Sequence, residues 1–268
     1  QPLASAAPGL TLLIKNGFLA INKGIKPFSS VKNLALKLNL DIAKPDSEQI
    51  TMESSISALT LHQNDQEIIF EGLVLNGKGL RVQDKLSFSL DELTLSKPAL
   101  QINGALVVSS TSPEFSLDLQ GADIDVDATR EAALTLAGET TPVKEIFAYL
   151  RGGKVPQISF HSQGDSASAL GDLKNIVIKG QLQKGAVSIP QIKLDLTEVN
   201  GDVVISEGVL EGRKMSTRLE GSSGHDGTLR VALGEDNDLF QLELMLSANL
   251  PQAQHILKRI VEKSEFAQ

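Results

Sequence analysis

The stretch V-K-N-L-A-L-K-L-N-L-D-I, from Val31 to Ile42, decides the fold class. Leu34, Leu36, Leu38, Leu40 and Ile42 take every second position, with mostly polar residues between them. A period of two puts alternate side chains on opposite faces of a pleated strand, whereas a helix repeats its apolar residues every three or four. One apolar face and one wet face favour antiparallel pairing over a parallel sheet buried on both sides. The alternation returns at Leu86, Phe88 and Leu90, at Phe115, Leu117 and Leu119, and at Ile192, Leu194 and Leu196. It returns again at Leu229, Val231 and Leu233, and at Phe240, Leu242, Leu244 and Leu246.

Turn signals separate these runs. Asn76-Gly77, Asn103-Gly104 and Asn200-Gly201 read as hairpin dipeptides, because both residue types tolerate positive φ. Glycines 180, 185, 208, 212, 221, 224 and 227 punctuate the last third in the same way. The expected strand spacing is about 10 to 12 residues, that of a meander. Two stretches break the pattern. Residues 127–137, DATREAALTLA, are good helix formers, and TPVKEIFAYLRGG opens at Thr141-Pro142 and stops at Gly152-Gly153. A helical turn is expected over Leu170 to Lys174. Leu250-Pro251 opens a last amphipathic helix with Ile256, Leu257, Ile260 and Val261 on one side.

The expected organisation follows: a linker-like segment 1–9, a β-rich half 10–126, a helical interruption 127–152, a second β-rich half 153–250, and a helix 251–268. The start at Gln1 fits either a piece whose true N-terminus lies elsewhere or an ordinary flexible terminus. Of the 268 residues 41% are apolar but only 4% aromatic, so the interior is aliphatic. The net charge of -8 and the lack of any basic patch make nucleic acid an unsuitable partner. With no cysteine, disulfides, thiol nucleophiles and thiolate metal sites are excluded together. No apolar run reaches the roughly 20 residues of a spanning helix.

Signs of catalysis are sparse. His62, His161, His225 and His255 share no metal-ligand spacing, and nucleotide-loop, zinc-protease and nucleophile-elbow motifs are missing. Asp123, Asp125 and Asp127 alternate, as a calcium-binding strand face would, but the bend glycine and distal Glu of a calcium loop are not in place. They are expected to form a solvated strand face. Ser222, His225 and Asp226 spell a hydrolase triad, yet neighbours on one loop do not align a nucleophile, a base and its orienter. The expectation is a non-enzyme with no cofactor and no metal. A carbohydrate-active enzyme is disfavoured by the absence of Trp and the single Tyr149.

One resemblance runs from Asp125 to Val261. It rests on DVDATREAALTLAG, VKEIFAYLRGGKVPQISF, and the run from Leu170 to Leu233. Within that run stand G-x-L-x-x-G-x-V-x-I-P at Gly180 to Pro190 and V-x-G-x-V-x-I-x-x-G-x-L-x-G at Val199 to Gly212. This half of the chain resembles the C-terminal region of AsmA-like proteins, particularly large envelope proteins of the YhdP type. The first 120 or so residues match only in style. The resemblance implies a module in the periplasm, anchored to the inner membrane by a segment absent from this chain. It also implies an open, curved β-sheet with an apolar groove that handles phospholipid or another acyl-chain lipid between the inner and outer membranes.

Periodicity alone favours a β-sandwich with two apolar faces packed together, which would make this a structural or protein-interaction domain. The resemblance shifts the expectation to a mainly β, antiparallel, curved or groove-forming sheet with a few short helices. The groove candidates are Leu34, Leu36, Leu38, Leu40, Leu86, Phe88, Leu90, Leu194, Leu196, Leu242 and Leu244. The C-terminal helix carries His255, Lys258, Arg259 and Lys263 off its apolar stripe, which offers contact with an anionic membrane surface.

Overall fold

Long alternating segments pair with their chain neighbours, because hairpin closure over a few residues is the least costly way to pair a strand. A computed structural model describes residues 9–248, apart from 25, 45–46, 64–65, 110–113, 193, 220–221 and 235–238. The expected linker and the expected C-terminal helix with its membrane contact lie outside the described residues, save for Gly9. Seven strands come first: β1 (Leu10–Lys23), β2 (Lys26–Lys44), β3 (Ser47–Gln63), β4 (Gln66–Val82), β5 (Lys85–Ser96), β6 (Ala99–Ser109) and β7 (Glu114–Asp125). Two helices follow, α1 (Val126–Ala137) and α2 (Thr141–Tyr149). The rest is β8 (Leu150–Gly164), β9 (Ile176–Ile189), β10 (Leu194–Ser206), β11 (Val209–Leu219), β12 (Ser222–Ala232) and β13 (Phe240–Ser247).

The strands form one antiparallel sheet whose order follows the chain from β1 to β13. β1 and β13 have one neighbour each, so the ladder is open. The sandwich alternative is set aside: the described strands make one sheet, not two facing ones.

The chain divides into two compact units. Unit 1 holds residues 1–124 and 159–175, and unit 2 holds 125–158 and 176–268. In unit 1 the strands reach 19 residues in β2 and 17 in β3 and β4, longer than the expected spacing. A crease crosses them where Asn16, Asn33 and Gly72 take left-handed backbone, with φ of 53°, 52° and 60°. Asn33 Nδ2 donates to Ser57 Oγ at 3.1 Å on the crease. At Gly72 a Cβ would lie 2.0 Å from Ser96 Oγ, so glycine is required by space as well as by φ.

Unit 2 repeats the device on four strands. Lys184, Glu198, Lys214 and Asp226 have φ of 49° to 52°, one each in β9, β10, β11 and β12. Buried positions step by three across each of them, from Leu182 to Gly185 and from Leu196 to Val199. Gly212 to Met215 and Gly224 to Gly227 step likewise. Residues on one face of an unbroken strand differ by even numbers, so each step marks one extra residue, a β-bulge that bends the strand.

Three sequence expectations are corrected. Asn76-Gly77, Asn103-Gly104 and Asn200-Gly201 are not turns but lie inside β4, β6 and β10. Their glycines let adjacent strands approach: a Cβ on Gly77 would sit 2.7 Å from the Ser89 carbonyl oxygen, and one on Gly201 2.9 Å from that of Arg213. The Asn200 side chain serves a neighbouring bulge, where Lys184 N donates to Asn200 Oδ1 at 3.0 Å, and Asn76 Nδ2 donates to Glu92 Oε2 at 2.8 Å. Glu207-Gly208, with φ of 52° and 73°, is a true two-residue hairpin turn between β10 and β11.

Second, α2 is N-capped at Thr140 and ends at Tyr149, so Gly152-Gly153 is not its stop. Those glycines are in β8, where Gly153 N donates to Asp127 Oδ2 at 3.2 Å. Third, the three aspartates do not share a strand face. Asp123 is left-handed, Asp125 caps α1 by accepting from Ala128 N at 3.1 Å, and Asp127 is in the helix. The expected helical turn near Leu170 is a 3-10 turn over Ala169–Gly171.

Candidate functional site

Cross-strand register turns the alternating leucines of unit 1 into rungs that are apolar or glycine at every place but Ser54. Leu12, Leu38, Met52, Gly77, Leu90, Gly104 and Leu119 are successive direct partners from β1 to β7. The next rung is Leu10, Leu40, Ile50, Gly79, Phe88, Leu106 and Leu117. Ile14, Leu36, Ser54, Leu75, Leu93, Ile102 and Gly121 make a third. Directly opposed residues share a face, so these rungs tile one side of the sheet.

That side is hollow. A cavity of about 380 Å³ is lined by residues of six consecutive strands, including Leu38, Met52, Phe88, Leu90 and Leu119. Residues of β2 and β7 line one hollow only if the sheet curves between them. Rungs across seven strands spaced about 4.8 Å apart make an apolar strip about 29 Å long.

The strip is uncovered among the described residues. Leu10 is 68% exposed, Leu12 49%, Ile50 47% and Phe88 43%. The opposite face is polar: Thr11 Oγ1 donates to Asn39 Oδ1 at 2.9 Å, and Asn39 Nδ2 donates to Thr51 Oγ1 at 3.2 Å. Lys37–Glu53 at 3.3 Å and Lys78–Asp91 at 3.6 Å are ion pairs on that wet side. One long margin of the strip turns polar on the apolar side, where Arg81 Nη2 meets Glu48 Oε1 at 2.7 Å and both pair in register beside Leu86 on the middle strands β3 to β5.

The expected groove residues therefore fall in three places. Leu36, Leu38, Leu40, Phe88 and Leu90 share the rungs of unit 1. Leu34 faces Gly17 beyond the third rung, and Leu86 stands between Arg81 and Val108 at the polar margin. Leu194 and Leu196 are 2% and 3% exposed, core rather than groove wall, which corrects their assignment to a reachable surface. Within unit 2, α1 and α2 pack on each other and α2 packs on β9. Leu242 and Leu244 are half-buried on β13, and the Leu244 side chain fills the space above Gly224 and Gly227. Met52, Leu75, Leu106 and Leu119 belong to the strip but were not among the expected residues. The alternation Ile50-Met52 and the chain order of strands carried that signal.

Polar chemistry does not gather on the strip. His161 Nδ1 lies 2.6 Å from Asp118 Oδ1, and His225 Nδ1 lies 2.9 Å from Asp226 Oδ2. Ser222 is buried while His225 and Asp226 are exposed, so the three do not assemble. Among the described residues no three His, Asp or Glu side chains converge as a metal site would require. The Arg213 guanidinium donates to Glu211 at 2.8 Å and holds its carboxyl below the usual carboxylate range. No described helix is long and apolar enough to cross a membrane. No protein-family model matches the chain, and no curated protein or solved structure is significantly similar to it.

Proposed function

We propose that this chain is a non-enzymatic, lipid-handling module that seats the acyl chains of phospholipid along the apolar strip of unit 1. The observation that carries the reading is the set of rungs from β1 to β7, apolar or glycine at every place but Ser54, exposed on one face and backed by a polar one. An exposed apolar surface of this extent marks a binding site, because leaving it in water is unfavourable. Size supports a lipid. A bilayer's hydrocarbon core is about 30 Å thick, so one leaflet's chain spans about 15 Å, half of the strip. Each CH₂ moved onto it gains roughly 0.8 kcal/mol, so chains are held without head-group recognition.

The resemblance of Asp125 to Val261 to AsmA-like proteins supports the same reading and supplies its setting. In that setting the module works in the periplasm, tethered to the inner membrane by another segment, and passes phospholipid between the two membranes. The test is native mass spectrometry of the chain purified from a Gram-negative host without detergent. Bound phospholipid, lost in a Met52→Asp/Leu90→Asp double variant that still folds, is the expected result. Lipid-free protein, or equal lipid in both, sinks the proposal.

A further inference from the structure

Unit 2 has an apolar cavity of its own, about 130 Å³ in volume and lined only by residues of that unit. Register explains it. Gly180, Val203, Gly212 and Leu229 are direct partners on β9, β10, β11 and β12. The adjacent rung, Ile178, Ile205, Leu210 and Val231, has a full side chain at every place. Val203 thus stands between two glycines; the Met215 side chain folds over Gly212, where a Cβ would lie 2.4 Å from Met215 Sδ, and Ile146 and Tyr149 of α2 complete the lining. The lining is hydrocarbon apart from Met215, Tyr149 and Gln181, and the Gln181 amide is engaged with Asp202 Oδ1 at 3.0 Å.

A water molecule needs two to four polar partners, which this lining does not offer, and a comparable cavity of about 150 Å³ stays dry and binds benzene. α2 has nine residues, and the Thr140 hydroxyl caps none of its N–H groups, donating instead to the Ala137 carbonyl oxygen at 2.7 Å. Isolated helices of that length are marginal, so α2 depends on its packing.

We propose that this cavity takes the terminal hydrocarbon segment of a single acyl chain, about six carbons by comparison with benzene, with α2 as the lid. The capacity for a small apolar group stands on the cavity itself, whereas the choice of an acyl chain rests on the lipid reading above. Two measurements on the full, delipidated chain keep these apart. Benzene titrated against methyl-labelled protein gives saturable shifts at Ile146, Ile178, Val203 and Leu229, and Val203→Phe lowers its affinity at least tenfold by filling the space. Val203→Leu, a milder filling, weakens binding in the same direction if the Phe variant does not fold. Absence of saturable shifts, or equal affinity in the variants, overturns the site. Palmitate carrying carbon-13 only at its terminal methyl is then expected to show nuclear Overhauser contacts to the same methyls. Contacts only to Leu38 and Met52 overturn the chain-end assignment and leave the strip of unit 1 standing. Contacts to neither overturn both.

Discussion

Lys214 shows how much conformation a single residue fixes here. Its φ of 51° belongs to the left-handed region, and it shares that backbone with Lys184, Glu198 and Asp226 on adjacent strands. The conformation costs an L-residue about 1–2 kcal/mol, and a β-branched side chain tolerates it least. Lys214 is exposed, so its side chain is not held by packing and the backbone effect is isolated. Lys214→Val is therefore expected to lower stability by about 1–2 kcal/mol, while Lys214→Gly is neutral or stabilising by up to about 1 kcal/mol. Urea midpoints at unchanged m-value measure both. Equal effects of Val and Gly would show that the bulge is not strained at this residue. None of the four bulges was legible beforehand, because a Lys or Glu in a strand carries no sign of φ. The Asn-Gly pairs misled for a related reason. The dipeptide signals permitted backbone, but at Asn200-Gly201 neither residue takes positive φ: the missing Cβ of Gly201 allows close strand approach, and the Asn200 amide oxygen accepts from Lys184 N at a neighbouring bulge.

At the scale of elements, the same leucine alternation has two fates. Leu38 and Leu90 in β2 and β5 stay half-buried on an uncovered face, while Leu196 and Leu229 in β10 and β12 are sealed. Side chains that lose all water contact on folding contribute transfer energy and leave a cavity when removed, so Leu229→Ala is expected to cost about 2–5 kcal/mol. Leu90→Ala removes a group that still meets solvent, and about 1 kcal/mol follows from its partial burial. Chemical denaturation of the two variants checks the ordering, and a Leu90→Ala cost as large as that of Leu229→Ala would mean that the strip is covered in solution. Periodicity marked which face of each strand is apolar, and the meander order and open sheet match the expectation drawn with the family resemblance. What period two leaves unsaid is whether a face is covered. Leu194-x-Leu196 and Leu38-x-Leu40 read alike. The boundaries of α1 and α2 were near the expected ones, but no local pattern names the strand, β9, on which α2 packs.

For the whole molecule, the two units have unequal interiors. Of the twenty-one buried apolar residues described, Val31, Phe70 and Leu173 belong to unit 1 and the other eighteen to unit 2. Local opening free energy follows buried apolar contact and falls where strands face water on one side. Amides of β2 to β5 are therefore expected to exchange with deuterium faster than those of β9 to β12 when the protein is free of lipid, by an order of magnitude or more. The difference does not come from hydrogen bonding, since β3 and β4 pair without a register shift over their whole length while β9 and β10 are interrupted at the bulge. It comes from what lies against the sheet. Phosphatidylethanolamine vesicles or a short-chain phospholipid added to the protein supply the missing apolar cover, and protection should then rise in β2 to β7. This rise is specific to the lipid reading: a protein partner docking on an edge strand protects β1 or β13 first, because an added strand bonds to the free backbone of the edge. Hydrogen exchange read by mass spectrometry thus distinguishes a filled trough from an extended sheet, and an unchanged pattern in β2 to β7 at saturating lipid would remove the trough as the site of binding.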